Sequence, residues 1–214
     1  MRKFRGLALL MLATFAAGTV AAAESPDIVR EWPKIVPPPA APPLTTVNVV
    51  PEKTALLLIA FDRNVCNPQE RTRCLPAVPK VRKLLDEARA KHMMVLHAHN
   101  NVTQDSDIVA ELAPAPGEVV FRTAPDKFLG SDLEKMLRDR GIATIILTGT
   151  AGNGAVLFTL IGGVSRGFDF LVPIDAIPAD SPYHEQFAVF EMADVMFLHA
   201  HTTLTRSDMI VFPN

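Results

Sequence analysis

From residue 54 onward, short apolar runs alternate with longer amphipathic stretches. TALLLIAFD, residues 54–62, is a continuous apolar run that ends on an acid. That is the pattern of a strand buried on both faces of a parallel sheet. Val78, Val81, Leu84, Leu85 and Ala88 then recur at helical spacing within residues 78–93. Further apolar runs at 94–97, 118–121, 143–148 and 168–174 predict strands, the last followed by Asp175. SDLEKMLRDRG, residues 131–141, predicts a helix with Ser131 as cap, Glu134 completing a capping box and Gly141 as the stop. Residues 149–154 form a small-residue turn. Residues 155–166 predict a nearly uncharged and therefore buried helix ended by Gly167, and residues 183–196 predict another. TLTRSDMIVF near the C-terminus offers an edge strand.

Strands alternating with helices at these spacings predict βαβ units. The expected fold is α/β: a single-domain, three-layer αβα arrangement around a mainly parallel, doubly wound sheet of five or six strands. Ligands in such sheets sit beyond the carboxyl ends of the strands. That rule selects Asp62, residues 97–101, residues 149–155 and Asp175. GTAGNG lacks the spacing of a dinucleotide fingerprint and no P-loop lysine follows it.

The first 52 residues follow another pattern. Arg2, Lys3 and Arg5 precede an apolar stretch over 7–20 and the small residues Ala21 and Ala23. This predicts a signal peptide over 1–23, with an uncleaved anchor as the alternative. No other stretch reaches the ~18 apolar residues of a membrane span, so no stable membrane insertion is expected after cleavage. Residues 24–52 hold eight prolines from Pro26 to Pro51 and read as a proline-rich N-terminal arm, lying on the surface or on a neighbouring subunit, or as a flexible spacer. The α/β domain then spans 53–214. Apolar residues make up 49% of the chain and charged residues 21%, which excludes a disordered protein and a coiled coil. With a net charge of −2 and no block of like charge, no nucleic-acid partner is expected. Export implies a periplasmic or secreted location and changes how the cysteines read. Cys66 and Cys74 share one polar loop, NVCNPQERTRC, and are expected to pair in an oxidising compartment. The alternative is a nucleophilic thiol at Cys66.

Three segments, LLLIAFDRN, VVFRTAPDKFLGSDLEKMLRDRGIATIILTGT and TGTAGNGAVLFTLIGGVSRGFDFLVPIDAIPA, together resemble the isochorismatase-like hydrolases, over about residues 54–197. That superfamily includes nicotinamidases, carbamoylsarcosine amidohydrolases and true isochorismatases. The resemblance implies an Asp–Lys–Cys triad in its amidase branch. The Asp falls on Asp62, the Cys position on Ala155, and the Lys, counted back from Phe128, on Arg122; Lys127 lies five residues out of that register. Asn64 stands where the family has Gln. A methyl group cannot attack a carbonyl, so acyl-enzyme chemistry at Ala155 is excluded. Arg122 keeps a positive charge but cannot exchange a proton readily, although it can clamp a carboxylate or hold Asp62 ionised. Lys127 could fold back to supply the amine.

Three functional readings follow. One is a hydrolase of a small molecule without a covalent nucleophile, similar to true isochorismatases, with Asp62 as general acid or base. Another is a non-catalytic binding protein. The third moves thiol chemistry to Cys66. By the same resemblance the Thr150–Ala151 bond is expected to be cis, and the amides of Ala151 and Ala155 to form an oxyanion hole at a helix N-terminus. His97 and His99, two apart at a strand end, share a face. They are expected to line the substrate site with Asn64 and Asn153. Satisfied core histidines are the alternative, and no metal or other cofactor is expected. The large apolar share and the resemblance imply a homo-oligomer.

Overall fold

The computed structural model describes residues 27–34 and 39–213, so the signal peptide expected over 1–23 lies outside the described residues. The chain divides into a unit ending at Pro38 and a unit from Pro39 to Asn214. In the first, Asp27 caps α1 (Ile28–Glu31) by accepting a hydrogen bond from the Val29 amide at 3.0 Å, and a 3₁₀ turn covers Trp32–Lys34.

The second unit carries the α/β fold. Its elements in order are β1 (Val47–Asn48), β2 (Thr54–Ile59), α2 (Val78–Ala90), β3 (Met94–Asn100), β4 (Val119–Thr123), α3 (Leu133–Asp139), β5 (Thr144–Gly149), α4 (Leu157–Val164), β6 (Asp169–Pro173), α5 (Pro182–Asp194), α6 (Met196–His199), β7 (Thr202–Thr205) and β8 (Ile210–Val211). Six strands form one parallel sheet in the order β4-β3-β2-β5-β6-β7. The chain builds outward from β2 in one direction and, from β5, in the other. The reversal lies between β2 and β5, and such a switch point opens a crevice at the carboxyl ends of the two strands. The C-terminal segment supplies edge strand β7 and then leaves the sheet, since β8 pairs with β1. Residues 39–52 are tied to this unit: the Thr45 amide bonds Leu204 O and the Val49 amide bonds Val211 O, both at 3.0 Å.

Every residue of β2 is buried, as its unbroken apolar run requires. Ala55, Leu57 and Ile59 pack into one core layer with α3, α4, α5 and α6, whereas Leu56 and Leu58 pack into the other with α2. The period of two in a strand thus splits one apolar run between two cores. Gly149 ends β5 with φ +148°, and a Cβ there would lie 2.6 Å from Ile59 O. Glycine is what lets β5 close on β2 at the switch point.

Helix α3 forms where it was expected, but its capping box does not. Its N-cap is Asp132, which makes no side-chain cap bond. Ser131 Oγ accepts the Leu133 amide at 3.2 Å and donates to Lys127 O at 2.6 Å, whereas Glu134 turns outward to Arg166 at 3.2 Å. Gly141 does stop the chain, with φ +63° and the Ile142 amide reaching back to Leu137 O at 3.0 Å. The apolar segment after the glycine turn begins with a π-helical turn, Gly152–Val156, and becomes regular only at Leu157.

One polar network sits inside this frame. Glu118 receives Arg89 of α2 through two bonds of 2.7 and 2.9 Å, the Ala115 amide at 2.9 Å and the His97 ring at 2.8 Å. Burial raises the Glu118 carboxyl, but these donors outweigh it and hold it at about 2. A depressed carboxyl contributes stability that is complete above its ordinary value of 4.5 and is lost as pH falls toward 2. Urea unfolding is therefore expected to show wild type losing about 2 kcal/mol more than Glu118→Gln between pH 5 and 2.5, allowing for solvent screening. Equal losses would contradict the network's role.

Candidate active site

Asp62 follows β2 by three residues and is 3% exposed. Its position is fixed by main chain on both sides. The Val109 amide bonds Phe61 O at 3.0 Å, the Arg63 amide bonds Asp107 O at 2.6 Å, and Asp62 O accepts the Val65 and Cys66 amides at 3.0 and 2.7 Å. The carboxylate is equally occupied. His99 Nδ1 at the end of β3 lies 2.6 Å from Oδ1, and Thr103 Oγ1 donates to Oδ2 at 2.9 Å. Both partners are buried.

Neither Arg122 nor Lys127 makes a direct ion pair with Asp62 among the described residues; Lys127 feels the charge of Asp62 from a distance. Lys127 is fully buried, and its ammonium donates to His99 O at 3.0 Å, Asn100 Oδ1 at 3.2 Å and Ala124 O at 3.1 Å. Its amide bonds Thr159 Oγ1 of α4 at 3.1 Å. Burial pushes the ammonium down to about 8, while the charges of Asp62 and Asp126 pull it back up. Arg122 was expected as the Asp62 partner from its register before Phe128. Instead its guanidinium bonds Thr103 O at 2.6 Å and the exposed Asp105 carboxylate. Arg122 ends up on β4, whereas Lys127 sits in the loop beyond it, which folds back under β3. Register counting along the chain cannot anticipate that reversal.

At the carboxyl end of β5 the Thr150–Ala151 peptide is cis, as the resemblance implied. The Thr150 amide bonds Ile59 O at 3.0 Å, and its hydroxyl donates to Pro178 O at 3.0 Å. Ala151, Asn153 and Ala155 are each half-buried along the following turn. The Ala151 N–H makes no hydrogen bond among the described residues. Arg71, in the loop after Asp62, reaches this turn: it donates to Thr150 Oγ1 at 2.8 Å and to Asp180 at 2.5 Å. It thereby joins the loops that follow β2, β5 and β6.

Two expected site residues lie elsewhere. His97 is one pleat below His99, buried, and turned to Glu118; burial lowers its basicity against the pull of that carboxylate. It holds α2 to β4 through Glu118 and Arg89. Asn64 is exposed in the turn beyond Asp62. Asp175, another strand-end acid, accepts the Ser207 amide and hydroxyl at 2.8 and 2.9 Å and pairs with Lys80 at 3.3 Å. Cys66 and Cys74 are joined in a disulfide, so Cys66 offers no thiolate as nucleophile. Among the described residues no three His, Cys, Asp or Glu side chains are placed to hold a metal ion, and no helix is long and apolar enough to cross a membrane. Asn100 lies at the end of β3, within the strand-end segment expected to hold ligands. Thr103 and Arg71 were not foreseen: they come from loops, and nothing in their spacing sets them apart from other polar loop residues.

This fold agrees with what known proteins show. The isochorismatase domain matches residues 54–205, and the chain belongs to the isochorismatase family. The isochorismatase family protein YaaI of Bacillus subtilis is 25% identical over 142 residues, 58% of this chain and 78% of its own length. The secreted isochorismatase effector Isc1 of Verticillium dahliae is 28% identical over 134 residues, 55% of this chain and 70% of its own. A crystal structure of an isochorismatase family protein from Desulfovibrio vulgaris superposes with a TM-score of 0.65 at 24% identity, covering 73% of this chain and 95% of that one.

Proposed function

We propose that this chain hydrolyses a small molecule without a covalent cysteine intermediate, using acid–base chemistry centred on Asp62. The observation that carries this reading is the buried Asp62 at the β2–β5 switch point, held by His99 and Thr103 and within the electrostatic reach of the buried Lys127; the resemblance puts Ala155 at the nucleophile position. A buried carboxylate with one fixed cation and oriented hydroxyl and imidazole partners is equipped to steer a proton. The amides of Ala151 and Ala155 are assigned as the pair that receives developing negative charge on a substrate oxygen. Asn153 and His99 are assigned to substrate contact. Water then takes the place of the thiol. Export to the periplasm or outside the cell is part of the proposal, supported by the Cys66–Cys74 disulfide and by a relative named as secreted.

The test is a panel of small carboxamides, esters and vinyl ethers incubated with the full chain. Turnover of at least one class is expected. Saturable binding across the panel with no turnover of any member would overturn the hydrolase reading and leave a binding protein.

A further inference from the structure

The hydrogen-bonding capacity around Asp62 leaves one atom over. Oδ1 and Oδ2 of Asp62 are each engaged, by His99 Nδ1 and Thr103 Oγ1. All three protons of the Lys127 ammonium are spent on His99 O, Asn100 Oδ1 and Ala124 O. His99 is 2% exposed, and its Nε2 is buried with no hydrogen-bond partner. A buried polar atom left unpaired is costly, and nothing else in this cluster offsets that cost. Such an atom asks for a ligand. A carboxylate on Nδ1 favours the tautomer with its proton on that side and a lone pair at Nε2.

We propose that His99 Nε2 is the general base of this site, taking a proton from the attacking water, with Asp62 and Thr103 as the groups that hold its ring. The substrate class this implies is a small acyl compound, an ester or amide, whose carbonyl carbon accepts water. The proposal rests on the hydrolase reading above and narrows it. In the step, the water oxygen bonds to the carbonyl carbon as one of its protons passes to Nε2. The carbon–oxygen or carbon–nitrogen bond to the leaving group then breaks, and the leaving atom departs with the proton from Nε2. The ring returns to its starting state, and no oxidant or covalent enzyme intermediate is required. Nδ1–H stays on Asp62 throughout.

Asparagine at 99 separates this role from a structural one, because its side-chain amide can still donate to Asp62 from the place of Nδ1 but has nothing at Nε2. With p-nitrophenyl acetate and acetamide as probes, His99→Asn is expected to keep the thermal midpoint of wild type and to lose ~10²–10⁴-fold in kcat on whichever probe is turned over. Nitrogen-15 NMR of the His99 ring in the wild-type chain, which needs no substrate, is expected to show the proton on Nδ1 and Nε2 bare. A proton on Nε2 would overturn the proposal whatever the kinetics. Full acyl turnover in His99→Asn, or hydrolysis of vinyl ethers with both acyl probes untouched, would overturn it while leaving the hydrolase reading in place. Absence of turnover of every class by wild type would overturn both.

Discussion

Replacing Asp62 by asparagine is expected to lower kcat by ~10²–10⁴-fold on any substrate the wild type turns over, with little change in thermal stability. The reason lies in what the carboxylate touches. It is buried, it meets His99 Nδ1 at 2.6 Å and Thr103 Oγ1 at 2.9 Å, and its charge acts on the buried Lys127 ammonium. Asparagine fills the same volume and keeps an oxygen for one partner. It carries no charge to offset an imidazolium and no proton-accepting oxygen pair to fix the ring. A positioned acid or base, or the carboxylate that orients one, is worth this much in enzymes that depend on it. Steady-state kinetics beside a thermal melt separates the two effects. An Asp62→Asn variant with the wild-type kcat would remove Asp62 from the chemistry, and one that fails to fold would make it a structural acid.

Lys127→Met is expected to affect both stability and rate. The substitution removes one ammonium and leaves His99 O, Asn100 Oδ1 and Ala124 O without their donor. Buried acceptors stripped of a partner cost ~1–3 kcal/mol, so a loss of about 2 kcal/mol at pH 7 is expected from denaturant unfolding. Because the same ammonium holds the end of β3 through His99 O, kcat should fall by at least ~10-fold. The deficit also has a pH signature. Burial lowers the lysine from 10.5 to about 8 in the folded chain. Between those values the unfolded chain retains a proton that the folded one has released. Wild-type stability therefore gains on Lys127→Met as pH rises from 8 to 10.5. A difference that stays constant across that window would mean that Lys127 titrates as an ordinary surface lysine.

Much of the fold was legible because the sheet is parallel and covered on both faces. The runs at 54–59 and 144–149 are apolar without alternation, so they stand out as strands wherever their neighbours are helical. The acid at 62 and the glycine turn after β5 were visible for the same reason: they punctuate the two central strands at their carboxyl ends. The disulfide was legible from two cysteines in one polar loop of a chain read as exported. What the sequence did not reveal lies in the loops. Thr103 is 41 residues from the carboxylate it bonds, and Arg71 is 79 from the hydroxyl it reaches. Neither distance leaves a periodic trace. Lys127 rather than Arg122 reaches the end of β3 because the loop after β4 turns back, held by Thr159 of α4 and by Ser131 just before α3. Ser131 serves both sides: its hydroxyl accepts the Leu133 amide at the start of α3 and donates to Lys127 O, so it also stabilises that loop, and only the Glu134 half of the expected box is missing.

The absence of a covalent intermediate is the central claim, and intact-protein mass spectrometry of the full chain, acid-quenched during turnover of the best substrate in the panel, tests it most directly. The account predicts one species at the mass of the unmodified chain with its Cys66–Cys74 bond closed. A substrate-derived mass increment, on Cys66, Lys127 or any other residue, that rises and decays with turnover would contradict it.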